Sequence, residues 1–184
     1  DRSKGVSNFK FSWWLSISAV LGSIIGAYIA IDFPEELFKK LLSIIMILVM
    51  LSILLKNKND FIETNNIKNK LLSVICFFFI GIYGGFIHAG VGFLMILVLS
   101  KVNRMQLSQS NSIKVFVALI FSTVAFLIFL NEDKINWIYG INLGIGSALG
   151  GWIASRWSYD KSDKTLKIIL SFIILFMSIK LWFF

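Results

Sequence analysis

The chain has 184 residues, of which 57% are hydrophobic and only 15% are charged. Soluble domains carry about a quarter of their residues as charged side chains, so the composition excludes an ordinary soluble domain and indicates a protein of the lipid bilayer. The single cysteine, Cys76, excludes an intrachain disulfide and a metal site built on cysteines. The net charge of +8 comes mainly from loops between apolar runs, which is typical of membrane orientation and argues against a nucleic-acid partner.

Six apolar segments follow one another along the chain, each approaching the ~20 residues that a spanning helix needs. We expect each segment to be helical, which makes the fold an all-α membrane protein. Pro34 with Glu35 and Glu36 predicts the start of the second helix, and Ser162 with Asp163 predicts the start of the last. The hydrophilic stretch 56–70 is predicted to be a linker. The segments are 11–31, 37–55, 71–100, 107–130, 135–154 and 166–184.

An internal repeat relates the first two segments to the last two. Residues 21–30 read LGSIIGAYIA and residues 145–154 read IGSALGGWIA, which are identical at five of ten positions. The repeat predicts one and a half copies of a four-segment unit, with a half-repeat upstream of residue 1. Residues 1–62 are then the second half of the first repeat plus the linker, and 63–184 are the second repeat.

The third segment is about 30 residues long and carries five glycines near its middle, so we expect it to break there. If this segment returns to its own side as a helical hairpin or re-entrant loop, thirteen loop lysines and arginines share one side and three share the other. That asymmetry is what cytoplasmic loops normally show. The repeats are then inverted, an arrangement typical of transporters with broken helices.

Three stretches give the chain a family resemblance. GIYGGFIHAGVGFL at 81–94, NSIK at 111–114 and IGSALGGWIASR at 145–156 resemble, in order and spacing, the TauE/SafE sulfite-exporter family of bacterial membrane proteins. The resemblance implies a multi-pass protein of the bacterial inner membrane that carries small anions such as sulfite or organosulfonates, coupled to protons or to membrane potential. The family pattern Ala-Asn-Ala-x-Lys matches this chain at Asn111 and Lys114, and His88 stands where relatives often have glutamine or a small residue.

The glycine-rich break is the first candidate for a substrate-binding site. Glycines let backbone N–H groups approach an anion, and a half-helix starting near Val91 would direct its positive dipole end into the break. The alternative is that these glycines only permit close helix contact. The candidate residues are Gly84, Gly85, Gly90 and Gly92.

Two polar side chains in the fourth segment are the next candidates. Lys114 lies about 10 Å from the segment's start, where an ammonium group is costly unless it is paired or hydrated. Asn111, three residues earlier, is on the same helix face. The pair can hold an oxyanion by charge and hydrogen bond, or Lys114 can instead extend to the membrane surface.

His88 is the only histidine and is a candidate for coupling proton and anion movement, although a lone histidine is more often only hydrogen-bonded. No second histidine or carboxylate inside a segment completes a metal site, and no catalytic constellation is present, so neither a cofactor nor an enzyme is expected. We therefore expect a secondary transporter of small anions, with the bilayer, protons and a second copy of the chain as further partners. The alternative is a non-transporting membrane scaffold or assembly partner.

Overall fold

A computed structural model of the chain describes residues 2–55, 69–158 and 163–183. In this described part the regular structure is entirely helical. The helices are α1 (Arg2–Ile31), α2 (Glu35–Leu55), α3 (Lys70–Phe86), α4 (Val91–Lys101), α5 (Leu107–Asn131), α6 (Trp137–Ser158) and α7 (Asp163–Phe183).

The predicted helices are confirmed, and the third segment is divided into two. Helix α3 ends at Phe86 and α4 begins at Val91, so the expected glycine break lies between them. Helix α7 begins at Asp163 as predicted, while Ser162 and nearly all of the predicted linker lie outside the described residues.

Helix α2 begins directly after Pro34, as the sequence predicts. Proline suits this position because the first turn of a helix leaves its N–H groups without intrahelical partners. Glu35 and Glu36 occupy the first turn, where the helix dipole favours negative charge. Each carboxylate also pairs one turn later, Glu35 with Lys39 at 3.0 Å and Glu36 with Lys40 at 2.7 Å.

The chain forms two compact units whose helices alternate along the sequence. One unit contains α1, α3, α4 and α5, and the other contains α2, α6 and α7. In the second unit α2 packs against α7, and the Ser43 hydroxyl donates a hydrogen bond to the Ser178 carbonyl at 2.9 Å. The consecutive division into repeats, 1–62 and 63–184, stays a prediction.

The core of the first unit is formed by side chains from all four of its helices. Burying a large apolar side chain contributes about 1.5–3 kcal/mol, so these residues hold the helices that position the candidate site. The fully buried members are Leu15 and Ala19 of α1, Phe77 of α3, Met95 and Leu99 of α4, and Val117 and Phe121 of α5.

Helices α1 and α3 run parallel and meet backbone to backbone. A Cβ on Gly22 would overlap the Phe78 carbonyl oxygen, and a Cβ on Gly26 would overlap that of Ile82. The contact is reciprocal, because a Cβ on Gly81 or Gly85 of α3 would overlap a carbonyl oxygen of α1. Glycines at four-residue spacing permit such close approach between helices in lipid.

Helices α3 and α4 form the predicted hairpin. Ser73, near the start of α3, donates a hydrogen bond from its hydroxyl to Oδ1 of Asn103, just after α4, at 2.7 Å. At the other end, Gly84 and Val91 face one another. Between these two contacts, the stretch of α3 from Ser73 to Gly84 and helix α4 are each about 16 Å long at the usual rise per residue. The third apolar segment therefore turns back and ends beside the point at which it began.

Two of the described helices are long and apolar enough to cross a membrane, over Lys10–Ile31 and Gln109–Asn131. Three shorter apolar helices are Lys70–Phe86, Val91–Lys101 and Ile168–Trp182. Large apolar side chains such as Leu21 and Leu119 are more than half exposed on the two longer helices. Such exposure is costly in water and favourable in lipid. Of the six apolar segments in the sequence, two thus meet the length and hydropathy of a membrane span within the described residues.

Candidate functional site

The break between α3 and α4 is a tight turn with two residues in left-handed conformation. His88 has φ 62° and Gly90 has φ 74°. Glycine adopts this conformation without cost, whereas a residue with a Cβ pays roughly 1–2 kcal/mol. The turn is fixed from α3, because the Tyr83 hydroxyl donates to the Ala89 carbonyl and the Ile87 N–H donates to the Tyr83 carbonyl at 2.8 Å.

Gly84 and Gly85 are buried within the unit, each in a close helix contact. A Cβ on Gly84 would lie 2.9 Å from Cε2 of Phe121, and one on Gly85 would overlap the Ser23 carbonyl oxygen. Close contact between helices thus accounts for both glycines. Their participation in an anion site stays a prediction.

Gly92, in the first turn of α4, is covered by the side chain of Lys114. A Cβ on Gly92 would lie 3.2 Å from Lys114 Cδ and 3.9 Å from its Nζ. Because α4 and α5 form a hairpin joined at 102–106, Gly92 lies at the end of α4 remote from that loop. The lysine therefore extends toward the α3–α4 break.

The start of α4 presents N–H groups beside this lysine. The N–H groups of Phe93 and Leu94 both point to the Gly90 carbonyl, at 3.0 and 3.3 Å, and that of Val91 is 3.5 Å from the His88 carbonyl. Within the described residues of the break, none of these turn hydrogen bonds uses the N–H of Gly92. This N–H, the positive helix end and the ammonium group are therefore close together.

Lys114 is partly buried, and no acidic side chain in the described part of the chain forms an ion pair with it. The start of a helix carries partial positive charge, so a lysine there is electrostatically unfavourable without an anion. Asn111 lies one turn earlier on α5 and is exposed. Its amide lies on the same face of α5, one turn nearer the loop.

His88 lies exposed at the turn itself. Its Nδ1 is 3.2 Å from the Gly84 carbonyl oxygen, and its ring centroid is 5.5 Å from that of Phe121. These contacts orient the imidazole while leaving it accessible. Both the hydrogen-bonding interpretation and the proton-coupling interpretation are compatible with this position.

Two residues near the site were missed by sequence reasoning as functional candidates. Tyr83 holds the turn through its hydroxyl, and Ser110 has a fully buried Oγ with no hydrogen-bond partner among the described residues. A buried hydroxyl of this kind is rare in folded proteins. Ser110 directly precedes Asn111 and lies one turn before Lys114, but its burial depends on tertiary contacts that the sequence motif does not reveal.

The described part of the chain contains no group of three or more His, Cys, Asp or Glu side chains placed to hold a metal ion. The polar groups that the site does bring together are N–H donors and an ammonium cation, all of which attract anions. A broken helix that offers such groups within an apolar helical bundle is typical of membrane transporters.

The chain belongs to the sulfite exporter TauE/SafE family, whose model matches residues 1–181. It is 24% identical over 179 residues to a "Probable membrane transporter protein ORF9" of Sinorhizobium sp., covering 97% of this chain and 69% of the relative. It is also 24% identical over 173 residues to a "Probable membrane transporter protein" of Haemophilus influenzae, covering 92% and 68%. No solved structure matches the chain. The family resemblance predicted from the sequence is thereby confirmed.

Proposed function

We propose that the chain is the larger part of a secondary transporter for small anions of the sulfite or organosulfonate type, located as a multi-pass protein in a bacterial inner membrane. The family and the transporter relatives support transport across a membrane. The family name suggests sulfite, and the arrangement of positive groups around Gly92 supports an anionic substrate.

The observation that carries this proposal is the position of Lys114 against the first turn of α4. Burying an ammonium group beside a positive helix end is unfavourable on two counts, desolvation and like charge. An oxyanion between the two offsets both costs. A lysine that only extends to the membrane surface would gain more by pointing toward the loop at 102–106.

The chemistry of this site suits an anion with several oxygens. Lys114 supplies a full positive charge, while the N–H of Gly92 and the α4 dipole supply directional attraction. Asn111, on the same face of α5 and one turn nearer the loop, is the proposed donor of a further hydrogen bond from its amide. Sulfite and sulfonates present three oxygens around one sulfur, so they can accept from these donors at once.

The depth of the site also suits transport. The hydrocarbon core of a bilayer is about 30 Å thick, and the hairpin extends about 16 Å from the Ser73–Asn103 contact to the Gly84–Val91 contact. If Asn103 lies at the membrane surface, the break at 87–90 reaches the middle of the bilayer. Substrate sites of transporters with broken helices lie at this depth.

Protons are the proposed coupling ion, with His88 at the hairpin turn as the group that exchanges them. Gly84, Gly85 and Gly90 complete the proposed site by shaping the turn. A homo-oligomer is compatible with this arrangement. A non-transporting scaffold would use the same close helix contacts but has no use for Lys114 at a helix start.

Flux measurement tests the proposal. Liposomes containing the purified protein should take up labelled sulfite when a proton gradient or a membrane potential is imposed, and unlabelled sulfite should compete. Uptake equal to that of protein-free liposomes under both gradients, with the protein shown to be folded and inserted, would favour the scaffold.

A further inference from the structure

Helix α6 carries a glycine-containing face that no other described helix of its own unit covers. Residues 137–154 are all exposed. A Cβ built on any of its glycines would meet no atom within 4 Å in the described part of the chain. Small residues spaced four apart are characteristic of helix interfaces in membranes, where they permit backbone contact. Gly146 and Gly150, four residues apart, share one face of the helix, while Gly140, Gly144 and Gly151 lie on another.

The equivalent face of α1 is occupied. The repeat aligns Gly22 with Gly146 and Gly26 with Gly150. In α1 these two glycines admit the backbone of α3 so closely that any Cβ would overlap a carbonyl oxygen. Ser23, the equivalent of Ser147, is fully buried in that interface. The sequence that makes this contact in α1 is thus repeated on α6.

The properties of α3 define what fits such a face. Its Gly81 and Gly85 allow the carbonyl oxygens of Ala19 and Ser23 to approach, so the contact needs glycines on both helices. The Ser18 hydroxyl also donates to the Val74 carbonyl at 2.6 Å. Asn142 is the residue of α6 equivalent to Ser18, and its amide can donate the same hydrogen bond.

We infer that the Gly146–Gly150 face of α6 is the docking surface for a second glycine-faced helix of the α3 type, which runs parallel to α6. The occupant belongs to the portion of the full-length family protein that this chain does not match, since nearly a third of each relative's length lies outside the alignment. A second copy's α3 does not suit, because its glycine face is already covered by its own α1.

A synthetic helix tests this inference on the 184-residue chain alone. The probe is a fluorescent peptide of residues 70–86, which carries Gly81 and Gly85 uncovered, added to the 184-residue chain in bicelles. We expect saturable binding of one peptide per chain. A peptide with both glycines replaced by isoleucine should not bind, because the backbones can no longer approach.

Single substitutions on α6 show which face of the helix binds the peptide. Gly146→Val and Gly150→Val should each weaken binding about tenfold or more, equivalent to about 1.4 kcal/mol. Gly144→Val is the matched control, because Val20 already occupies the equivalent position of α1. Since all three positions open to free space, the fold should tolerate each change.

Two results would overturn the inference. In one, the peptide binds all three variants as tightly as the unmodified chain, so that its binding does not use the Gly146–Gly150 face. In the other, the chain is a dimer that Gly146→Val and Gly150→Val convert to a monomer, which would make a second copy of α6 the occupant. Neither result bears on whether the protein transports anions.

Discussion

The side chain of Lys114 lies across Gly92, with Cδ 3.2 Å from the position that a Cβ on Gly92 would take. A contact this close leaves no room for a side chain at residue 92 unless the lysine moves. The absence of a side chain at residue 92 therefore allows the ammonium group to lie close to the start of α4.

Removing the charge of Lys114 should abolish anion flux. Lys114→Gln leaves the transported anion without a counter-charge in a medium of low dielectric constant, whereas Lys114→Arg keeps the charge and should retain part of the flux. Uptake of labelled sulfite into proteoliposomes measures both. Thermal stability should stay within about 1 kcal/mol of the unmodified protein, since no acidic partner among the described residues is lost.

Lys134→Gln is the matched control, because Lys134 is exposed and lies between α5 and α6. It should transport normally. Normal flux in Lys114→Gln would remove this lysine from the site and would indicate that it only extends to the membrane surface.

Gly92→Ala should separate anion binding from stability. Alanine is the better helix former by roughly 0.5–1 kcal/mol, so the melting temperature should be unchanged or raised. The added methyl displaces Lys114 by a few tenths of an ångström and crowds the N–H of residue 92. We expect the apparent KM for sulfite to rise severalfold, as measured by initial uptake rates. Gly140→Ala, where the space is open, should leave KM unchanged.

Thiol labelling tests the re-entrant hairpin. In a Cys76→Ser background, Lys101→Cys should be protected from an impermeant thiol reagent added outside intact cells, while Asn131→Cys should react. Both positions are exposed, whereas Asn103 is fully buried and would report poorly. Permeabilised cells should label at both positions. Labelling of Lys101→Cys from outside would show that the hairpin crosses the membrane.

Gly22→Val should be among the most destabilising single changes in the first unit. The new side chain overlaps the Phe78 carbonyl oxygen, which cannot move without distorting α3. Overpacking of this kind costs about 1–3 kcal/mol, and more where backbone is displaced. Thermal unfolding in detergent measures the loss. The same substitution at Gly140 should be tolerated, and equal stability of the two variants would mean that α1 and α3 are farther apart.

His88→Asn should test proton coupling while preserving the turn. Asparagine tolerates positive φ better than most residues, so the left-handed conformation at residue 88 should survive. It cannot exchange a proton near neutral pH. We expect uptake driven by a proton gradient to fall while exchange of labelled for unlabelled sulfite at equilibrium persists. Unchanged proton-driven uptake would leave His88 with only the hydrogen-bonding role.

Periodicity and composition predicted the helices because each apolar segment is longer than the turns that bound it. The hairpin was predicted from the loop charges, and the Ser73–Asn103 hydrogen bond now gives it a geometric basis. The exact position of the break was harder to predict, because five glycines lie within that segment and only Gly90 adopts a positive φ. Local sequence does not distinguish a turn glycine from a contact glycine.

The pairing of glycines with neighbours was beyond sequence reasoning for a similar reason. Gly22 and Gly146 occupy matching positions in the repeat, yet one is in backbone contact and the other faces open space. Ser110 escaped notice because its burial depends on neighbouring helices. Lys114 could be identified from the sequence, because a charged side chain within an apolar segment carries a large desolvation cost.

The interface between α1 and α3 contains almost no side-chain atoms at its closest points, because carbonyl oxygens there face glycine α-carbons. Such a surface has no rotamers to rearrange and no layer of methyl groups to slide over. We therefore expect the two helices to behave as one rigid body. In the proposed transport cycle, α1 and α3 therefore move together when the turn at His88 is exposed first to one side of the membrane and then to the other, and the hinge lies outside this pair of helices.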